Sequence, residues 1–181
     1  SAAVCGGMHR LRPGSSSRLV AFFRCPCLHA GSGCAARAHR SHEQYSNPLH
    51  SNNKIIGTYI NSTMALHEAL RKGADEALLM DKNGFISEGS GENIFIVKDG
   101  VICTPLTDHC LNGITRQSVI TIAQDQGFEV IEKNLEYVDL VEADEAFFTG
   151  TAVEITPITK LDGKNINSGK RGELTHQLQY I

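Results

Sequence analysis

Residues 76–103, EALLMDKNGFISEGSGENIFIVKDGVIC, give the clearest indication of the fold class. Short apolar runs alternate in it with turns that contain glycine. Asp81–Gly84 predicts a hairpin turn, because its Asn-Gly pair tolerates the positive φ angles that tight hairpins need. Lys98–Gly100 predicts a second turn of the same kind. The stretch therefore predicts short, mainly antiparallel strands joined by hairpins.

Two main helices are predicted around this stretch, over Tyr59–Arg71 and Thr115–Gln126. Both place apolar side chains at helical intervals and end at a glycine, Gly73 or Gly127. Strands are predicted at Glu76–Met80, Phe85–Glu88, Asn93–Val97, Val101–Cys103, Phe128–Ile131, Ala143–Thr149 and from Gly150 towards Pro157. A short helical turn is predicted at Tyr137–Val141, loop and turn at Lys160–Gly172, and a helix from Glu173. The fold class is α+β.

Charge divides the 181 residues in two near residue 50. Residues 1–50 contain six arginines and one acid, a net charge of +5, whereas residues 51–181 contain 11 basic and 19 acidic residues, a net charge of −8. The first segment has no helical or strand period. We predict a disordered leader at 1–50, outside the fold, and a globular domain at 51–181.

The leader has other interpretations. An Arg-rich, acid-poor segment is also typical of organellar transit peptides. Cys25, Cys27, His29 and Cys34 could be proposed as zinc ligands, but their spacing matches none of the usual patterns. We expect a cytoplasmic protein, or an organellar one if the leader is a transit peptide.

Several classes of protein are disfavoured by the sequence. No run of about 18 apolar residues is present, so we expect no membrane partner. Cys103 and Cys110 are not spaced as a C-x-x-C pair, and we expect free thiols. The leader arginines lack interleaved aromatic residues, so we expect no nucleic-acid partner. We expect no metal.

Three glycine-containing junctions interrupt the regular elements: Glu88–Asn93, Leu111–Arg116 and Thr149–Ala152. In the second, Gly113 precedes a helix that opens with Ile114 and Thr115. Unpaired N–H groups at the positive end of a helix predict an anion site that suits a phosphate monoester. The alternative is an ordinary helix start with Thr115 as its cap.

The other junctions are less specific. Thr151 offers an N–H and a hydroxyl group beside Gly150, but the same pattern fits a plain strand-entry turn. Glu88 is compatible with a solvated carboxylate. Lys54, considered alone, is an exposed lysine, since a nucleophilic lysine needs its pKa lowered from about 10.4.

Taken together, four motifs resemble those of the class IV, or fold-type IV, aminotransferases. They occur in the family's order across residues 50–176. The motifs are Lys54-x-x-Gly57-x-Tyr59-x-Asn61-Ser62, Glu88-Gly-Ser-Gly-Glu-Asn-Ile-Phe95, Gly113-Ile-Thr-Arg116 and Phe148-Thr-Gly-Thr-Ala-x-Glu-Ile-Thr-Pro157. The resemblance implies the large-domain fold of that family and pyridoxal 5'-phosphate as the cofactor.

The resemblance also implies residue roles. Lys54 would bind pyridoxal phosphate covalently and later move the proton at the substrate Cα. Glu88 would pair with the pyridinium nitrogen, and Tyr59 would hydrogen-bond the ring phenolate oxygen.

The remaining roles concern anionic groups. The implied phosphate ligands are Ile114, Thr115 and Thr151. The backbone of Thr151 and Ala152 would receive the substrate α-carboxylate. Glu92 and Asn93 would support the loop.

Within the family, Tyr59, the Glu88–Asn93 loop and the Ala143–Ala152 segment favour the branched-chain L-amino-acid type. The implied reaction exchanges an amino group between leucine, isoleucine or valine and 2-oxoglutarate in a homodimer. The alternatives are a D-amino-acid aminotransferase, an aminodeoxychorismate lyase and a non-catalytic fragment. The family's N-terminal domain has no match here and the C-terminal helix is cut off near Ile181, so we expect a truncated domain whose activity is in doubt.

Overall fold

The computed structural model of the protein describes residues 34–40, 59–108 and 110–181. The helices of this part are α1 (Tyr59–Arg71), α2 (Ile114–Asp125), α3 (Tyr137–Val141) and α4 (Glu173–Gln179). The strands are β1 (Cys34–Arg40), β2 (Glu76–Met80), β3 (Ile86–Gly89), β4 (Asn93–Lys98), β5 (Val101–Thr104), β6 (Val130–Glu132), β7 (Glu145–Gly150), β8 (Glu154–Leu161) and β9 (Lys164–Asn165).

The described strands form one mixed sheet in the order β3-β2-β1-β8-β7-β4-β5-β6, with β9 added to β8. The pairs β2–β3, β4–β5, β4–β7, β7–β8 and β8–β9 are antiparallel. The pairs β1–β2, β1–β8 and β5–β6 are parallel. The α+β class with short, mainly antiparallel strands is confirmed, and α1 and α2 are the two longest helices of the described part.

Strand β1 corrects the sequence analysis, which predicted no element before residue 50. It lies inside the sheet, parallel to both β2 and β8. Cys34 and Ala36 are buried in the core. The segment CAARAHR contains no β-branched or aromatic residue, so strand propensity does not mark it. Its conformation depends instead on two long-range neighbours.

The remaining leader residues, 1–33 and 41–50, lie outside the described residues. The proposed zinc ligands Cys25, Cys27 and His29 are among them. Cys34, the fourth, is a buried cysteine of β1.

A second correction concerns residues 160–172, predicted as loop and turn. Strand β8 continues to Leu161, because Ala36 of β1 pairs with it. Asp162 and Gly163 then form a tight turn with φ angles of 49° and 80°, and β9 returns against β8. The partner strand, absent from the local pattern, accounts for the difference.

The predicted hairpin after β2 is confirmed. The Asp81 carboxylate accepts hydrogen bonds from the N–H groups of Asn83 and Phe85 at 2.9 and 2.8 Å. Gly84 has a φ of 88°, where a side chain would be strained. The turn joins β2 to its antiparallel neighbour β3.

Helices cover two parts of the sheet. Ala65 and Ala69 of α1 pack in a small cluster with Ala77 and Leu79 of β2. A second cluster joins α2 and α4 to the strands around stacked rings of Phe95 and Phe147, whose centroids are 5.1 Å apart. Burying one such ring stabilises the fold by roughly 1.5–3 kcal/mol. The start of α2 is thus held on a rigid support.

None of the helices in the described part of the chain has the length and apolar character needed to cross a bilayer.

Candidate active site

The three junctions singled out in the sequence meet at one end of the sheet. Asn93 at the start of β4 pairs with Thr149 near the end of β7. The Glu88 and Asn93 side chains both bind the backbone of Leu111, just before α2. Residues distant in sequence therefore form one continuous site.

Leu111 is held from two sides. Its N–H donates to Glu88 Oε2 at 3.0 Å. Its carbonyl oxygen accepts from Asn93 Nδ2 at 2.6 Å. Asn93 thereby joins the start of β4 to the loop before α2. Since Glu88 lies in β3 and Asn93 opens β4, the loop before α2 is tied to two strands.

Helix α2 begins without a side-chain cap from the residues that the structure describes. Gly113, the N-cap residue, has an extended backbone (φ −69°, ψ 146°) and provides no side-chain bond. The N–H groups of Ile114, Thr115 and Arg116 have no acceptor among the described residues. Ile114 is 86% exposed. The alternative in which Thr115 caps the helix is wrong, because Thr115 is the second helical residue and makes no cap bond.

Burial changes the acidity of Glu88. The loss of hydration raises the pKa of its carboxyl group from 4.5 to about 7, against the opposing effect of the Leu111 hydrogen bond. The side chain still reaches solvent in part. Glu88 therefore changes protonation near neutral pH, which is unusual for a carboxyl group.

The third junction forms the turn between β7 and β8. Gly150 ends β7, and Thr151 and Ala152 are exposed in the turn that follows. A methyl group on Gly150 would lie 3.7 Å from Glu92 Cγ, so this turn lies against the first junction. The exposed backbone and hydroxyl group of Thr151 are accessible to a ligand.

Arg116 closes one of the motifs quoted from the sequence, but no role was predicted for it. Its side chain is fully buried, and its Nη2 donates to Pro105 O at 2.9 Å and to the Glu132 carboxylate at 2.6 Å. It shares the buried face of α2 with Val119 and Ala123. A cation on an otherwise apolar helical stripe is the signal that could have revealed it.

Cys103 and Cys110 are free cysteines in the described part of the chain, as predicted. Cys110 is buried next to Leu111. Burial, reinforced by the Glu88 charge, raises the pKa of its thiol to about 12. The thiol therefore stays protonated and unreactive at neutral pH.

Not every predicted site residue is placed. Lys54 and Gly57 lie outside the described residues. Tyr59 is the first residue of α1, 37% exposed, and its contact with a cofactor ring remains a prediction. Glu88, Ile114, Thr115, Thr151 and Ala152 all lie at the junctions described above.

Comparison with known proteins identifies the family. The family model described as amino-transferase class IV matches residues 22–161. The chain belongs to the class IV aminotransferases. The match begins inside the segment that the sequence analysis set apart as a leader, in agreement with the place of β1 in the sheet.

Its relatives are branched-chain aminotransferases. The branched-chain-amino-acid aminotransferase of Pseudomonas aeruginosa is 55% identical over 126 residues, covering 70% of this chain and 41% of the relative. The probable branched-chain enzyme of Aquifex aeolicus is 42% identical over 154 residues, covering 84% of this chain and 50% of the relative. The class IV chain thus spans about half the length of these relatives.

Solved structures agree. The T.th. branched-chain amino acid aminotransferase complexed with N-(5'-phosphopyridoxyl)-L-glutamate superposes with a TM-score of 0.78 at 42% identity, covering 82% of this chain and 49% of that one. The Escherichia coli enzyme gives a TM-score of 0.78 at 41% identity, covering 81% and 50%. The described architecture is therefore the class IV aminotransferase fold.

Proposed function

We propose that this chain supplies the pyridoxal-phosphate-binding part of an aminotransferase that exchanges an amino group between a branched-chain L-amino acid and 2-oxoglutarate. The observation that carries the proposal is the uncapped start of α2, tied through Leu111 to the Glu88 carboxyl group. A phosphate-binding element and a ring-binding acid are thereby joined by one short segment.

The helix start suits the phosphate group. The N–H groups of Ile114 and Thr115 lack an acceptor within the described chain, and the Thr115 hydroxyl lies beside them. A dianionic phosphate would satisfy these donors and interact favourably with the helix dipole. Thr151, exposed on the β7–β8 turn, is proposed as a further phosphate ligand.

Glu88 suits the ring nitrogen. A carboxyl group with a pKa near 7 binds a proton more tightly than an ordinary glutamate. As a carboxylate it would hold a proton on the nitrogen of a pyridine ring. The hydrogen bond from Leu111 fixes one of its oxygens, and the other is left for this contact. When bound, pyridoxal phosphate supplies a ring that withdraws electrons from the substrate Cα.

The remaining roles follow the family motifs. Lys54 would hold the cofactor covalently and move a proton at the substrate Cα. Tyr59 would donate a hydrogen bond to the ring oxygen. The backbone N–H groups of Thr151 and Ala152 would orient the substrate α-carboxylate.

The ligands named for solved relatives support the proposed substrates. The T.th. enzyme binds N-(5'-phosphopyridoxyl)-L-glutamate, whose amino acid part corresponds to 2-oxoglutarate after loss of the amino group. It also binds 4-methylvaleric acid, which has the carbon skeleton of leucine. These ligands favour the branched-chain type over a D-amino-acid aminotransferase or an aminodeoxychorismate lyase.

Covalent trapping tests the proposal. Pyridoxal phosphate is added to the purified chain, the adduct is reduced with borohydride, and the modified peptide is mapped. We expect modification at Lys54. Lys54→Ala should abolish it, whereas Lys82→Ala, which removes an exposed turn lysine, should not change it. No adduct, or one spread over surface lysines, would contradict the cofactor assignment.

A separate assay addresses turnover. A chain that forms the Lys54 adduct but transfers no amino group from leucine to 2-oxoglutarate would be a cofactor-binding fragment. The homodimer, and the cytoplasmic or organellar location, stay predictions that sedimentation and cell fractionation can test.

A further inference from the structure

We propose that Asn93 is a positioning residue that fixes the start of α2, and with it the proposed phosphate-binding N–H groups, relative to Glu88. The inference rests on the proposed function and adds a residue that touches neither substrate nor cofactor. In this role Asn93 keeps the N–H groups at the start of α2 at a constant distance from the Glu88 carboxyl group.

The structural basis begins with Leu111. Side chains from two different strands bind its backbone. Glu88 accepts a hydrogen bond from the Leu111 N–H, and Asn93 donates one to the Leu111 carbonyl oxygen. Loss of either contact leaves the segment free to turn about the other. Only the pair fixes its orientation.

Asn93 also limits the size of the residue that can occupy position 113. A Cβ atom placed on Gly113 would collide with Asn93 Oδ1. Gly113 N donates to Leu111 O at 2.9 Å, the same carbonyl that Asn93 Nδ2 holds. The Asn93 side chain is buried and thus sits directly under the N-cap of α2.

The far end of the segment is fixed independently. Arg116, in the first turn of α2, reaches back to Pro105 O, where the segment leaves β5. It also pairs with Glu132 at the end of β6. With the Arg116 end held, the contacts of Glu88 and Asn93 with Leu111 together set the distance between Ile114 and the Glu88 carboxyl group.

Hydrogen exchange tests the positioning directly in the full chain without cofactor. In Asn93→Ala we expect the Leu111 and Gly113 amides to exchange about tenfold faster relative to the amides of β7, as one lost hydrogen bond predicts. Thr159→Val is the matched control, since it removes a buried hydrogen bond to Cys34 O elsewhere in the sheet. It should leave the Leu111 and Gly113 rates unchanged.

Ligand binding tests the consequence. Asn93→Ala should weaken binding of pyridoxal phosphate about tenfold and leave binding of pyridoxal, which lacks the phosphate, nearly unchanged. Thr159→Val should alter neither. Asn93→Asp, which keeps the shape but turns the donor into an acceptor facing Leu111 O, should behave like the alanine variant.

The outcomes separate the two claims. Unchanged exchange at Leu111 in Asn93→Ala, or an equal loss of affinity for both ligands, would overturn the positioning role. A parent chain that binds neither ligand would contradict the proposed function, while the exchange rates would still decide whether Asn93 fixes the helix start.

Discussion

Helices α2 and α4 begin alike and differ in what satisfies their first turns. Each follows a glycine N-cap with extended backbone, Gly113 or Gly172, that provides no side-chain cap. At α4 the Glu145 carboxylate accepts from the N–H groups of Leu174 and Thr175 at 2.9 and 2.8 Å. At α2 no acceptor within the described chain occupies the equivalent place.

This difference indicates which helix start can bind an external anion. The fold can place its own carboxylate at a helix start, as it does with Glu145, and Thr175 Oγ1 adds a third hydrogen bond at 2.6 Å. Glu145 serves structure. At α2 the neighbouring carboxyl group, Glu88, instead binds Leu111 and leaves the helix start open. An open start on a rigid support is what phosphate binding requires.

Removal of the Glu145 carboxylate at the start of α4 should destabilise the protein most. Glu145→Ala removes three hydrogen bonds to a charged acceptor, so we expect a loss of about 2–3 kcal/mol in the free energy of unfolding. Urea denaturation measures it. Glu145→Gln, which keeps one acceptor oxygen, should lose less, and Glu129→Ala at an exposed position should stay within about 0.5 kcal/mol of the parent. If Glu145→Ala left the free energy of unfolding unchanged, the start of α4 would need no anion.

A substitution at the α2 start should have the next largest effect. In Gly113→Ala the new methyl group collides with Asn93 Oδ1, and we expect a cost of about 2 kcal/mol in unfolding free energy from overpacking. Pyridoxal phosphate binding should weaken in parallel. Gly91→Ala is the control, since a Cβ there meets nothing within 4 Å. Equal effects of both variants would argue against a close fit at Gly113.

Glu88 gives a pH-dependent prediction. Its pKa is raised from 4.5 to about 7 in the fold, so its contribution to stability is complete below pH 4.5 and is lost as the pH rises through 7. Glu88→Gln does not titrate. Between pH 4.5 and 8, the free energy of unfolding of the parent should therefore fall by about 1–2 kcal/mol relative to this variant. The energy range allows for partial solvent access to Glu88.

Unfolding curves of the two proteins at several pH values measure the difference. A pH-independent difference would place the Glu88 pKa at its ordinary value, and the proposed proton sharing with a ring nitrogen would lose its support.

The smallest expected effect is at the β7–β8 turn. Thr151→Val removes an exposed hydroxyl group, so we expect unchanged stability and a loss of about 0.5–1 kcal/mol in pyridoxal phosphate affinity. Fluorescence titration measures the affinity. Thr151→Ser keeps the hydroxyl group and should retain parental binding; an equal loss in both variants would assign the contact to something other than the hydroxyl.

Local sequence signals predicted much of this arrangement. The predicted bounds of three elements agree with the structure: Tyr59–Arg71, Glu76–Met80 and Tyr137–Val141. These bounds depend on local signals, the spacing of apolar residues and the glycines that end an element. Strand β1 was missed, since its conformation depends on pairing with strands far along the chain.

In the candidate site, too, some features follow from the local sequence and others depend on the placement of distant strands. The helix start at Ile114 and Thr115 follows from Gly113 and the period of α2. The contacts of Leu111 with Glu88 and Asn93 depend on how β3 and β4 are placed. The role of Arg116 was missed because its partners, Pro105 O and the exposed Glu132, are recognisable only in the fold.

Backbone amide shifts during titration with pyridoxal phosphate show whether the start of α2 binds the phosphate group. We expect the ¹⁵N–¹H signals of Ile114 and Thr115 to move in a saturable way, while those of Leu174 and Thr175, already bound to Glu145, stay in place. Pyridoxal without phosphate should leave all four unmoved. Shifts at both helix starts, or at neither while the cofactor binds, would contradict the assignment of α2 as the phosphate site.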